Sequence, residues 1–399
     1  MGLYGGNKMK LLVAADSLFL RTPDGNYWCK TIYGYKFWTR YTSVFNKVII
    51  VSRCKDAKYA DVEGYLQVDG PNVGVAELPY MRGMKQYITN YFSFRDGAKE
   101  AIKGADCALI RLPSVAAFMV LDYFKKTGKP YALEVVADPA YAYSENKLAK
   151  LIYTRKLKKA VKSANGVSYV TKSYLQNEYP HTIKTKDKER FTSHYSTIDL
   201  PKEYLGLPKD FTKNDKFKIV HTANSINNDN KGHTTVIKAA KKLRELNYNI
   251  EVTFIGDGSK RPYYEKMCRD MGMEKYISFT GLLSDPLEVR RFLLESDIFI
   301  FPTKAEGLPR AIIEAMATGL PCLSSPVNGI PELLKKDYLV DYQNVDAYVD
   351  KIKTLIENPE SLNKMSEENL LNSLSYTSDT LQKRRNRFYT NLRNLAKNQ

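Results

Sequence analysis

The sequence predicts an α/β fold of two domains, each a doubly wound parallel sheet covered by helices on both faces. Short apolar runs of strand length alternate with longer mixed segments of helix length along the chain, the pattern of parallel strands joined by covering helices. That alternation breaks at 201–216, PKEYLGLPKDFTKNDK, where Pro, Lys and Asp crowd together as in an interdomain linker. A length of 399 residues exceeds one typical domain and suits two. The boundaries read as a first domain over 1–205, a linker over 206–216, a second domain over 217–375, and a basic terminal helix over 376–399.

In the first half, 10–15, 47–51, 107–110, 131–136 and 166–170 have the apolar character of buried parallel strands. Segments near 28–45, 87–103, 115–127, 146–163 and 172–179 read as helices. LLVAADSLFL at 11–20 follows two lysines, as a signal peptide would, but Asp16 interrupts it and no convincing small-residue cleavage site follows. It reads as the first core strand. The start MGLYGG lacks the Ser or Thr of a myristoylation signal. The loop expected after this strand, DSLFLRTPDGNYW, lies at a strand C-terminus, the ligand side of such sheets, which makes Asp16 and Gly25 candidates for substrate contact. Arg111 follows the strand CALI in the same situation; it is a candidate for an anionic acceptor or an arginine capping a surface loop. After YALEVV comes Ala137-Asp138-Pro139, where an Asp before Pro forms a turn.

The second half repeats the pattern more clearly. FKIVHTA is a strand, followed by the polar loop ANSINNDNKGH and a helix over 234–246. EVTFIGDG ends a strand in a glycine turn, where small residues let backbone approach a ligand. A helix over 260–272, a strand over 277–280 and a helix over 286–295 lead to FIFPTKAEGLPRAIIEAMATGLPCLSS. There a four-residue strand ends at Pro302, Glu306 and Gly307 turn, and 308–318 read as a helix closed by Gly319. Strand, loop and helix N-terminus favour an anion, through free amides and the helix dipole. Glu306 and Glu314 flank that position, and carboxylates suit hydroxyls. A nucleotide sugar offers both, a diphosphate and sugar hydroxyls. Helices over 345–357, 360–372 and 378–397 follow.

Composition narrows the classes. Hydrophobic residues at 43% and aromatics at 12% exclude a disordered chain, and no apolar run approaches the ~20 residues that span a bilayer. Five scattered cysteines without a CxxC, and four distant histidines, argue against zinc and for reduced thiols in the cytoplasm. The net charge of +17 asks for an anionic partner, and no nucleic-acid motif accompanies it. Between 146 and 162 there are seven Lys or Arg and no acid, with Leu148, Leu151, Ile152, Leu157 and Val161 forming an apolar side. Such a helix is either an ordinary solvated one or suited to an anionic membrane face. A second candidate surface is 80–94, with Tyr80, Met81, Tyr87, Tyr91, Phe92 and Phe94 among Arg82 and Lys85, of which core packing explains part equally well.

The Glu306–Glu314 pair inside EGLPRAIIEAMATGLP resembles the signature of the family 4 retaining glycosyltransferases. GDG at 256–258, FTG at 279–281, SDIFIFP at 296–302 and NGIPELL at 328–334 fall in that family's order, and the resemblance covers about 165–335. It implies the GT-B arrangement, two Rossmann-like domains facing across a cleft, with the last helix crossing back to the first domain. It further implies that Lys231 holds the donor diphosphate, that Glu314 takes the ribose hydroxyls and that Glu306 faces the transferred sugar. Gly256, Gly258, Gly307 and Leu308 line the donor. The family's phosphate-binding Arg is absent, since Asn224-Ser225 stand there, which makes Asn224, Arg310 and Lys304 the substitutes to consider. Its donor-site His is also absent, leaving Asp138 as the nearest polar group; its paired acceptor-loop glycines are reduced to Gly25. The activity implied is retaining transfer of a hexose-type sugar from a nucleoside-diphosphate donor to a glycan or lipid-linked acceptor, in capsule or exopolysaccharide assembly. No Asp-x-Asp occurs, so neither metal nor cofactor is expected beyond the nucleotide sugar. Localisation is read as cytoplasmic or peripheral on the inner membrane face. A nucleotide-sugar 2-epimerase and a non-catalytic binding subunit of the same architecture remain as rivals.

Overall fold

The computed structural model describes residues 9–81, 83, 86, 89–143, 146–182, 190–211, 216–283 and 285–398. They form two compact units. One comprises Met1–Val170, Leu175–Tyr195 and Gln382–Gln399; the other comprises Thr171–Tyr174 and Ser196–Leu381.

The first unit holds β1 (Lys10–Arg21), β2 (Tyr27–Cys29), β3 (Lys47–Asp56), β4 (Leu66–Gln67), β5 (Val73–Pro79), β6 (Cys107–Leu112), β7 (Tyr131–Val135), β8 (Gly166–Tyr169) and β9 (Phe191–His194). Seven run parallel in the order β5-β3-β1-β6-β7-β8-β9, so the chain winds outward from β1 in both directions. The helices are α1 (Tyr35–Thr42), α2 (Tyr91–Ile102), α3 (Val115–Phe124), α4 (Pro139–Ala142), α5 (Lys147–Ser163) and α6 (Tyr174–Glu178), the last starting one residue before the unit boundary. β1 explains the apolar run at its start: Leu11 to Ala15 are buried in the middle of the sheet.

The sequence reading ends this strand too early. Past a bulge between Ala14 and Leu18, β1 pairs with Arg53 to Asp56 of β3, then folds back as a hairpin onto β2. Burial alternates beyond Asp16, the sign of a ribbon with one face in solvent. The expected 28–45 helix therefore begins at Tyr35, because Tyr27–Cys29 go to β2. β5 and β9 escape the sequence reading because they are diluted by Gly74, Glu77, Thr192 and Ser193 at the sheet edges. The MGLYGG start lies outside the described residues, as do Arg82, Lys85 and Tyr87 of the 80–94 stretch.

The second unit is a five-stranded parallel sheet in the order β12-β11-β10-β13-β14. Its strands are β10 (Phe217–Ser225), β11 (Ile250–Asp257), β12 (Ile277–Phe279), β13 (Ile298–Phe301) and β14 (Cys322–Ser324). Around them run α7 (His233–Glu245), α8 (Arg261–Asp270), α9 (Pro286–Glu295), α10 (Arg310–Ala317), α11 (Val345–Glu357) and α12 (Pro359–Ser373). Its core joins Ile219, Val252, Phe254, Ile298, Ile300 and Leu323 of the strands to Ile237 and Leu243 of α7 and Ile352 of α11. The segment expected as linker packs on this unit: Gly206 N–H donates to the Ala317 carbonyl at 2.7 Å, and Lys209 Nζ reaches the Leu294 carbonyl at 2.8 Å at the end of α9. Residues 212–215 of it lie outside the described ones. α13 (Ser378–Lys397) closes the chain, and from Gln382 onward it belongs to the first unit. All five cysteines are free and buried.

Candidate functional site

In the second unit, β10 and β13 lie side by side, and the chain order reverses between them. Ligands of open α/β sheets bind outside the strand C-termini at such a reversal. Two loops meet there, 226–232 leading from β10 to α7 and 302–309 leading from β13 to α10. Lys304 N–H and the Thr303 hydroxyl both donate to the Asn230 carbonyl, at 2.9 and 3.0 Å. Joined in this way, the loops bring Lys231 Nζ against Glu306 Oε1 in an ion pair, its ammonium also 5.4 Å from the Phe301 ring centre. Both side chains are partly exposed, within reach of a ligand.

The loop carrying Lys231 is fixed at successive residues. Asp229 accepts from Thr234 N–H and the Tyr264 hydroxyl, each at 3.0 Å. The imidazole of His221, fully buried on β10, lies with Nε2 at 2.8 Å from the Lys231 carbonyl, and as the donor it fixes the tautomer as Nε2–H. Gly232 has φ of +74°, and a Cβ there would sit 2.0 Å from the Pro302 carbonyl oxygen, so only glycine lets the loops close. His233 opens α7, stacked between Phe254 and Tyr264 with ring centres at 5.1 and 5.0 Å. Burial pushes His221 down to about 4 and His233 to about 2, so both rings are neutral behind the lysine.

On the Glu306 side, Glu306 N–H donates to Asn328 Oδ1 at 3.3 Å, and Asn328 Nδ2 donates to the Tyr174 hydroxyl at 2.9 Å. Gly329 N–H donates to the Gly307 carbonyl at 3.2 Å. Glu332 accepts from the consecutive amides of Lys172, Ser173 and Tyr174. Pro309 precedes α10 and no side chain among the described residues caps its first turn, which leaves its first amides with their dipole directed to the same place. Glu314 sits one turn further, half-buried; burial raises its carboxyl above the usual range and Arg310, four residues earlier, opposes that.

The glycines expected at the donor occupy the neighbouring strand end. Gly256 has φ of +137°, and a Cβ would overlap the Ala223 carbonyl oxygen at 1.8 Å; at Gly258 it would meet the Ile226 backbone at 2.6 Å. Their turn is thereby pressed against Asn224, exposed at the end of β10, and the loop beyond it. Lys231, Glu306, Gly307, Leu308, Arg310, Glu314, Asn224, Gly256 and Gly258 are thus all gathered along one edge of one sheet. Sequence reading missed His221, Asn328 and Arg261. Arg261 stands by the ends of β11 and β12, bonded to Glu265 at 2.7 Å and 3.7 Å from Asp257. Asn328 was within reach, since it opens the NGIPELL block. A recess of about 630 Å³ bounded by Lys209, Arg290, Asp297 and Thr318 lies where β13 begins, the opposite edge from the paired loops.

The first-domain candidates do not share this character. Arg111 is 4% exposed and ion-paired with Glu134, its register partner on β7, so it has no face for an acceptor. Asp138 is buried: it caps α4 by accepting from Ala140 N–H at 2.8 Å and accepts the Tyr179 hydroxyl, which makes it a structural carboxylate rather than a catalytic one. Asp16 lies within β1 rather than after it and pairs with Arg53 at 2.6 Å. Gly25 is the turn of the β1–β2 hairpin, with φ of +85° and open space around it.

Residues 207–370 match the family model "Glycosyl transferases group 1". Protein CapJ of Staphylococcus aureus is 29% identical over 97% of this chain and 96% of its own length. The UDP-Gal:alpha-D-GlcNAc-diphosphoundecaprenol alpha-1,3-galactosyltransferase of Escherichia coli is 28% identical over 42% of each chain. Among solved structures, sucrose-phosphate synthase of Thermosynechococcus elongatus superposes with a TM-score of 0.72 at 13% identity, covering 97% of this chain and 99% of that one. HepE of Anabaena in complex with UDP and glucose gives 0.66 at 15% identity, covering 94% and 97%. With these matches and the two parallel-sheet units, the chain is a glycosyltransferase of GT-B fold.

Proposed function

We propose that the enzyme moves a hexose-type sugar, with retention of anomeric configuration, from a nucleoside diphosphate to a glycan or lipid-linked acceptor in capsule or exopolysaccharide assembly. The observation that carries this is the meeting of Lys231 and Glu306 between two helix N-termini, a cation and an acid side by side at a strand-end reversal. In the reaction the bond between anomeric carbon and phosphate oxygen breaks, and the electron pair leaves with the diphosphate. Lys231 and the first amides of α7 and α10 stabilise the charge that gathers there. Glu306 holds hydroxyls of the sugar as its ring becomes oxocarbenium-like, and its negative field favours that state. The acceptor hydroxyl attacks from the leaving-group side and gives its proton to the departing phosphate. Glu314 accepts from the ribose diol. The cationic clamp takes the part a divalent metal plays elsewhere, so chelator leaves the rate unchanged.

UDP is the first nucleotide to test, because the HepE structure holds UDP and glucose and the Escherichia coli relative uses UDP-Gal. The undecaprenol diphosphate acceptor of that relative and the chain's charge of +17 suit a lipid-linked acceptor at an anionic membrane face. The test is a thermal-shift panel of nucleoside diphosphates and their sugars. One nucleotide should raise the midpoint, and Lys231→Ala and Glu314→Ala should each remove most of the rise. A panel without any shift overturns the donor reading in favour of a non-catalytic subunit.

A further inference from the structure

α5 was read as a basic helix with one apolar side, and the structure divides that side in two. Tyr153, Leu157, Ala160 and Val161 face the core of the first unit. Leu148, Leu151 and Ile152 face the other way and are 67, 47 and 42% exposed. At 3.6 residues per turn they share an arc of about 100° with Arg155, Lys159 and Lys162, opposite the buried stripe. The outer face of α5 therefore has an aliphatic tip in its first turns and a cationic track along the rest. A solvated helix buries its aliphatic residues, and this one leaves Leu148, Leu151 and Ile152 in solvent.

We infer that this outer face is a docking surface for an anionic lipid bilayer, with Leu148, Leu151 and Ile152 entering the headgroup boundary and the cations lying on the phosphates. The charge pattern selects that partner. α5 has seven Lys or Arg, all exposed, and no acid. The acid that meets it from the neighbouring helix is Asp122 of α3, 3.8 Å from Lys156 at the side of the arc. Lys125, after α3, donates to Ser163 at 2.8 Å and extends the basic surface past the end of α5. An acidic protein would match the charges but leave the aliphatic tip in water, whereas a bilayer with anionic headgroups takes both. α2, packed on α3, adds a smaller spot of the same kind: Phe92 is 66% exposed beneath Arg95, whose guanidinium also pairs with Asp96. No helix among the described residues is long and apolar enough to cross a membrane, so binding by this face would be peripheral.

The inference rests on the membrane half of the proposed function and not on the donor site, and the two are tested apart. The full chain is sedimented with vesicles of phosphatidylcholine alone and of phosphatidylcholine with phosphatidylglycerol, at low and high salt. It should bind the anionic vesicles only, and salt should weaken the binding. The surface variant Leu148→Ser/Leu151→Ser/Ile152→Ser should lower the partition coefficient about tenfold or more, and Arg155→Gln/Lys159→Gln should do likewise. Both variants should keep the wild-type melting midpoint and nucleotide shift, which shows that they fold. Equal binding by wild type and both variants overturns the assignment to α5. No binding to anionic vesicles at low salt overturns the membrane itself, and a nucleotide shift in the same sample leaves the transferase reading standing.

Discussion

Glu134 accepts from four donors that are far apart in the chain: Arg111, and the hydroxyls of Tyr41 at 3.2 Å, Tyr195 at 3.0 Å and Tyr389 at 3.1 Å. A carboxylate so enclosed is tolerable only while its cation is present. Arg111→Ala should therefore destabilise the protein by about 3–5 kcal/mol in urea titration. The nucleotide thermal shift of the second unit should survive, and a variant of wild-type stability that fails to transfer sugar would restore Arg111 to the acceptor site. The position of Arg111 at a strand end was legible, but its partner was not. Glu134 lies 23 residues away and faces Arg111 only because β6 and β7 pair in one particular register. Lys231 and Glu306 were legible for the contrary reason: each belongs to a local strand–loop–helix unit whose shape the sequence spells out. Their ion pair, 75 residues apart in sequence, emerges only when β10 and β13 become neighbours.

At the scale of elements, the end of β10, the loop after it and the start of α7 form one clamp behind Lys231, and two histidines fill it. Among the described residues neither ring nitrogen of His233 has a hydrogen-bond partner, and the ring is fully buried, so it must stay neutral in the fold. An unfolded histidine titrates near 6.5, while His233 is held down to about 2 and His221 to about 4. Below pH 6.5 the unfolded chain binds protons that the folded one refuses. Their contribution is complete above that pH and is lost as pH falls from it towards 4 and lower, by roughly 1.4 kcal/mol per pH unit for each histidine at most. The melting midpoint should fall through this window, and His233→Phe, which keeps the stacking between Phe254 and Tyr264, should flatten the fall. An unchanged slope in that variant would place the acid sensitivity elsewhere. Inner strands and their helices were readable from apolar runs, while β2, β4, β5, β9 and the outer half of β1 were not. Edge strands need only one apolar face, and β5 and β9 barely keep that.

For the whole molecule, the contact boundaries make the chain discontinuous in both units, and the last residues carry weight out of proportion to their number. Phe388, Tyr389 and Leu392 are buried, and Tyr389 reaches Glu134 across 255 residues of sequence. Ending the chain at Leu381 should expose the first unit to limited proteolysis and lower its melting transition. The second unit, which keeps Ser196–Leu381, should still register nucleotide. A truncated chain as protease-resistant as the full one would show α13 to be dispensable.

That same helix fixes a timetable. A chain leaves the ribosome from its N-terminus, and domains usually finish folding in that order. Here Tyr41, Glu134 and Tyr195 emerge early and wait for Tyr389, made only after the whole second unit, before their hydrogen bonds are complete. The second unit, although synthesised later, has all its own segments in hand before Gln382 is made. Completion therefore runs opposite to synthesis, and a nascent chain stalled before Tyr389 holds a second unit with all its segments and a first unit still lacking one.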